Sequence, residues 1–83
     1  MKVRTKKELR NVMAWVLNNR VEAFSMTVNN EYVSVTYVKI SGGWEMAVDL
    51  KLFGEGAIDY LWKNKKAFYN AMPADWIEAA LAS

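Results

Sequence analysis

The stretch Tyr32–Phe53 leaves this chain little freedom, because apolar and polar residues alternate through it on both sides of Ser41-Gly42-Gly43. Side chains of a strand point alternately to its two faces, so a slip of one residue would turn every apolar group to the wrong side. Val33, Val35 and Tyr37 share one face; on the following strand Trp44, Met46, Val48, Leu50 and Leu52 share a face, and Glu45, Ala47, Asp49 and Lys51 take the other. A two-residue Gly42-Gly43 turn supplies the positive φ angles of a tight hairpin and pairs Tyr37 with Val48, Val35 with Leu50 and Val33 with Leu52. One step upstream, Asn29-Asn30 as the turn pairs Met26 with Val33 and Phe24 with Val35 on the same apolar side, and Asn tolerates the left-handed region. The expectation is a three-stranded antiparallel meander from about Glu22 to Phe53, whose apolar face needs a cover.

Helices on either side can supply that cover. Thr5-Lys6-Lys7-Glu8 is a capping-box pattern, and the apolar residues that follow, Leu9, Val12, Met13, Val16 and Leu17, have the spacing of one helical stripe ending near Asn18-Asn19-Arg20. Beyond the sheet, Gly54-Glu55-Gly56 opens a helical region that runs to Met72 and is stopped by Pro73. Read as one continuous or slightly kinked helix, its apolar arc of Ile58, Leu61, Trp62, Phe68, Tyr69 and Met72 has Lys65 in the middle. The alternative is a break at Lys63-Asn64. Pro73 to Leu81 reads as a short last helix that must dock to be stable. The fold class is α+β, in the order α-β-β-β-α-α, with the sheet covered on one face. Eighty-three residues make a single domain, 1–83, that buries only about 60% of its unfolded surface.

Two zeros in the composition narrow the chemistry. There is no cysteine and no histidine, which removes the thiolate metal sites and the commonest general base. Glu45 and Asp49 would lie roughly 13 Å apart along a strand, too far to share acid–base work. Ser25, Ser34 and Ser41 have no histidine to activate them. Gly54-Glu55-Gly56 lacks the remaining glycines and the lysine of a phosphate loop. No catalytic residue, metal ligand or cofactor-binding residue is assigned, and the chain is read as non-enzymatic. With no secretion-type leader and no apolar run long enough to span a bilayer, the expected location is cytoplasmic, without membrane contact.

Function must then come from surfaces. Four tryptophans and four tyrosines are many for so small a core. Trp44 and Trp62 belong to the apolar faces and are read as structural. Trp15 falls off the stripe of its helix, beside Glu8, Asn11 and Asn19, which makes it either a residue lying against a neighbouring loop or helix or an interface anchor, and Trp76 is less well accounted for by core patterning than Trp44 and Trp62. Tyr32, Val38 and Ile40 point away from the covered side of the sheet. Trp15, Tyr32, Val38, Ile40 and Trp76 are therefore the candidate protein-interaction residues, with Trp15 and Tyr32 as anchors, since exposed aromatics beside β-branched residues mark contact patches. A homodimer through an outer strand is a further possibility.

The charges suggest a rival. The net charge is only +2, but Lys2, Arg4, Lys6, Lys7 and Arg10 cluster at the start and Lys63, Lys65 and Lys66 form a second group, candidates for weak RNA or DNA contact. In element order, helix, three-strand meander, helix, the stretch Thr5–Met72 resembles the double-stranded-RNA-binding domain family, which implies recognition of RNA shape and phosphates. Where that family opens its second helix with a basic Lys-Lys-x-Ala-Lys segment, this chain has Gly54-Glu55-Gly56-Ala57-Ile58-Asp59, with Lys65-Lys66-Ala67 well inside the helix; Asn29-Asn30 replaces the family's histidine-bearing loop. In size and element order the chain also looks like small phage-encoded inhibitors, some anti-CRISPR proteins among them, which implies stoichiometric binding to a host protein. That is the reading preferred here, an accessory or inhibitory protein-interaction domain, with nucleic-acid binding as the alternative.

Overall fold

The structure, a computed structural model, describes residues 2–83. The elements run α1 (Lys6–Asn19), β1 (Ala23–Val28), β2 (Glu31–Ile40), β3 (Gly43–Val48), β4 (Leu52–Phe53), α2 (Gly54–Lys63), α3 (Lys65–Ala71) and α4 (Ala74–Ala82). The strands form one antiparallel sheet in the order β1-β2-β3-β4. Met26, Val33, Val35, Met46 and Val48 turn one face of it into a core shared with α1, α2, α3 and α4. The α+β class is as expected, with one more strand and one more helix than the α-β-β-β-α-α order.

Local chemistry explains α1 and the first hairpin. The Thr5 hydroxyl accepts the Glu8 N–H at 3.1 Å, and the Glu8 carboxylate reaches back to the Arg4 N–H at 2.7 Å, a capping box displaced by one residue. The whole predicted stripe, Leu9, Val12, Met13, Val16 and Leu17, is buried. Asn29 (φ 53) and Asn30 (φ 68) are both left-handed, and the register is the expected one, Met26 with Val33 and Phe24 with Val35.

The second hairpin differs in register. Its turn is Ser41-Gly42, not Gly42-Gly43, so Tyr37 faces Met46 and Val35 faces Val48. The third strand also stops short of Phe53. Asp49 (φ 55) and Leu50 (φ 59) are left-handed, the Lys51 N–H donates to the Val48 carbonyl at 3.1 Å, and the chain reverses into β4, pairing Val48 with Leu52 and Ala47 with Phe53. Asp49 holds the reversal. Its carboxylate accepts from the Ser34 N–H at 3.0 Å and from the Ser34 hydroxyl at 3.2 Å, while its own N–H donates to the Ser34 carbonyl at 2.9 Å. The Asp49 side chain thus takes the place of the next strand carbonyl, and Leu50 points to solvent at 62% exposure.

The region after the sheet is two helices, not one. The Asn64 side-chain amide donates to the Tyr60 carbonyl at 2.9 Å, the backbone turns at φ −113, ψ 40, and α3 begins from the Asn64 carbonyl. The break resolves the misfit of Lys65, whose ammonium lies 3.8 Å from the centroid of the Trp62 ring, a cation–π contact that a basic residue in an apolar arc can use. α3 packs on β1 and α2 on β3 and β4, while α4 docks on α1. Before α1, Val3 is buried and its N–H donates to the Tyr69 hydroxyl at 2.8 Å. Among the described residues, no helix is long and apolar enough to cross a membrane.

Candidate protein-interaction surface

The helices cover one face of the sheet and leave the other open. Along β2 the open face carries Tyr32, Ser34, Thr36, Val38 and Ile40; β1 adds Ala23, Ser25 and Thr27, β3 adds Glu45 and Ala47, and β4 adds Phe53. Ala47 is fully buried even there, because it lies between its register partners Thr36 and Phe53. Around it Val38, Ile40 and Phe53 form a partly exposed apolar strip. Tyr32, the most exposed large hydrophobic side chain among the described residues at 84%, stands about 27 Å along β2 from Ile40. These are two ends of one surface.

Of the residues singled out from the sequence, Tyr32, Val38 and Ile40 share this face, and Trp15 and Trp76 do not. Trp15 is half-buried, packed at the margin of the core in a cleft that also includes Ala80 and Leu81 of α4, with the Arg20 guanidinium 5.3 Å from its ring centroid. Trp76 is likewise half-buried beside the core, on the helix whose Ile77 and Ala80 dock the C-terminus. Trp44, read as structural, is 66% exposed. It does lie on the helix-facing side, opposite Lys39 near the end of the hairpin, where the α1 and α2 residues around it leave it largely uncovered. There it flanks two shallow clefts of about 300 Å³ each that also share Tyr37. Burial of the Tyr37 phenol pushes its ionisation above the ordinary value of 10.0. Phe53, Leu50 and Leu52 are exposed apolar groups that sequence reading missed; no glycine announces the reversal at Asp49-Leu50 that puts them there.

The basic residues are partly neutralised. The Lys6 ammonium lies 2.9 Å from the Asp59 carboxylate, and Arg10 is ion-paired with Glu55, so the acidic opening of α2 answers the basic first turns of α1. Lys2, Arg4, Lys7, Lys63 and Lys66 are exposed and Lys65 lies on Trp62. Gly54 is left-handed at φ +54, and a Cβ there would meet a carboxylate oxygen of Glu45 at 2.5 Å. The Gly54-Glu55-Gly56 segment thus has the Glu45 carboxylate against its first residue and its own Glu55 already paired with Arg10. Among the described residues, no group of three or more acidic, histidine or cysteine side chains is placed to hold a metal ion, and no buried side-chain polar atom is left without a partner. Comparisons with protein-family models, curated proteins and solved structures find no match.

Proposed function

We propose that this chain is a non-catalytic protein-binding domain, of the accessory or inhibitory kind, that lays the open face of its sheet against a partner protein. The observation that supports this is where the apolar surplus ends up. The core closes on its own residues, yet Tyr32, Ile40 and Phe53 stay exposed on one polar-rimmed face, and aromatic and branched apolar side chains on such a face are the usual material of an interface centre. Trp15 leaves the list of anchors, since α4 already covers part of it. The nucleic-acid alternative is weakened by the pairing of Lys6 with Asp59 and Arg10 with Glu55.

The test is retention of a protein from source-cell lysate, with and without nuclease, by the wild type and by an Ile40→Asp/Phe53→Ser variant whose circular dichroism and melting temperature match it. The reading expects a nuclease-resistant, stoichiometric protein that the variant loses. Equal retention by the variant would move the interface off this face. Retention abolished by nuclease, or by charge reversal at Lys2, Arg4 and Lys7, would favour nucleic acid instead.

A further inference from the structure

We infer that the chain pairs with a second copy of itself through β1, antiparallel, about a twofold axis at Ser25. The inference concerns a different part of the molecule from the apolar strip at Ile40 and stands without it. β1 is an outer strand of the sheet, and its six residues carry no charge, no proline and no bulge. Outer strands that must stay unpaired are normally guarded by one of these devices. Beside the strand runs a groove of about 180 Å³ whose helix wall is Ala67, Asn70 and Ala71 of α3. No long side chain lines that wall.

The phase of the edge fixes the register that a second copy takes. Asn29 and Asn30 form a two-residue left-handed turn, so Val28 and Glu31 close the hairpin as a hydrogen-bonded pair, and such pairs alternate from there. Phe24 and Met26 therefore direct N–H and C=O toward β2, and Ala23, Ser25 and Thr27 direct theirs outward. An incoming strand must meet outward groups with outward groups and keep like faces together. A second copy satisfies both conditions with Ser25 opposite the partner's Ser25 and Ala23 opposite the partner's Thr27, which uses every outward backbone group of the three residues. Moving the axis to Met26 leaves Ala23 without a partner inside the strand. On the helix side the same register sets the half-buried Phe24 beside the partner's Met26, a sulfur–aromatic neighbour made twice by symmetry. A second copy is the occupant that uses every outward backbone group of β1 and at the same time sets Phe24 beside Met26 twice, on an edge that no charge guards.

The chain has no cysteine, so Ser25→Cys introduces one thiol, at the axis, where paired Cα atoms lie about 5.5 Å apart, inside disulfide range. Thr27→Cys lies opposite the partner's Ala23, with its own counterpart about 13 Å away along the strand. Ser25→Pro removes an N–H that points outward, so the β1–β2 ladder stays whole. The expected results are a wild type that sediments at twice 9.5 kDa, mild oxidation that cross-links Ser25→Cys roughly tenfold faster than Thr27→Cys, and a folded Ser25→Pro variant that sediments as a monomer. A wild type that is monomeric at its highest soluble concentration, a dimeric Ser25→Pro variant, or equal cross-linking at the two positions would each overturn the inference. Should Ser25→Pro fail to fold, the contrast between the two thiols decides alone.

Discussion

Asp49 is asked to do two things, tolerate the left-handed region and hold Ser34, and substitutions can separate them. Its carboxylate accepts from the Ser34 N–H and hydroxyl at 3.0 and 3.2 Å. A hydrogen bond to a charged group contributes about 1.5–3 kcal/mol when well protected, and in this exposed setting about 1 kcal/mol is reasonable for the pair. Placing a residue with a Cβ and no helpful side chain at φ 55 costs about 1 kcal/mol more. Asp49→Ala loses both, about 2 kcal/mol in total; Asp49→Gly loses the bonds but keeps the backbone at ease, about 1 kcal/mol after its added unfolded-chain entropy. Asp49→Asn keeps an acceptor and the left-handed tolerance, and should lose about 0.5 kcal/mol or less. Urea unfolding by tryptophan fluorescence reads these differences directly, and for a domain this small 2 kcal/mol corresponds to a fall of roughly 8–16 °C in melting temperature. Equal losses for Ala and Gly would show that the backbone conformation carries no cost, and an Asn variant as weak as Ala would show that the Ser34 contacts require the charge.

Gly54→Ala should destabilise by about 1–2 kcal/mol because φ is +54. Adding Glu45→Ala should restore little of it, since a flexible carboxylate can move and the backbone cannot; full rescue in the double variant would place the whole cost in the clash. Trp15→Ala should cost about 2 kcal/mol, part of the loss for a fully buried aromatic, while Tyr32→Ala should stay within about 0.5 kcal/mol; paired urea titrations check the order, and a reversal would exchange core residue and anchor. Tyr37 ionises above 10.0 in the fold because of burial, so the unfolded chain loses that proton first. Stability is unaffected by this group below pH 10 and falls as pH rises toward the folded value. Stability curves of wild type and Tyr37→Phe from pH 8 upward should diverge only there, the wild type falling more steeply; parallel curves would refute it.

What could be read from the sequence followed a simple rule of parity. The expected pairing of Tyr37 with Val48 and the observed pairing with Met46 differ by two residues, and a two-residue slip leaves every side chain on its face. The faces of Tyr32, Val38 and Ile40 were therefore legible, and so was the register of the first hairpin, while that of the second was not. The end of β3 was hidden for a different reason: Leu50 is an unusual residue for φ 59, and the reversal is held by a contact between Asp49 and Ser34, fifteen positions apart, that no local pattern reveals. Trp15 stayed ambiguous in the sequence because helical periodicity describes one helix facing one layer, and the cleft in which Trp15 is half-buried includes residues of α4.

Trp44 and Ile40 show where the sheet is left uncovered at the hairpin end. β2 has ten residues and extends about 34 Å, whereas α1, with fourteen residues, is only about 21 Å long. A helix of that length cannot shield a strand of that length end to end, and at the hairpin from Lys39 to Trp44 the cover is thin, with Trp44 bordering α1 and α2 residues yet 66% exposed. Both faces are exposed there, Trp44 on the helix-facing side and Ile40 on the open side. Lys39, opposite Trp44 in register, keeps one side of the hairpin end polar. The other side has no such guard at Ile40. If the open face binds a protein partner, the hairpin end, where Ile40 is exposed, is the apolar end of β2 on that face. An Ile40→Asp change should then weaken binding more than Tyr32→Ala at the opposite end of β2, with both variants as stable as the wild type; the reverse order would place the contact at the other end of the strand.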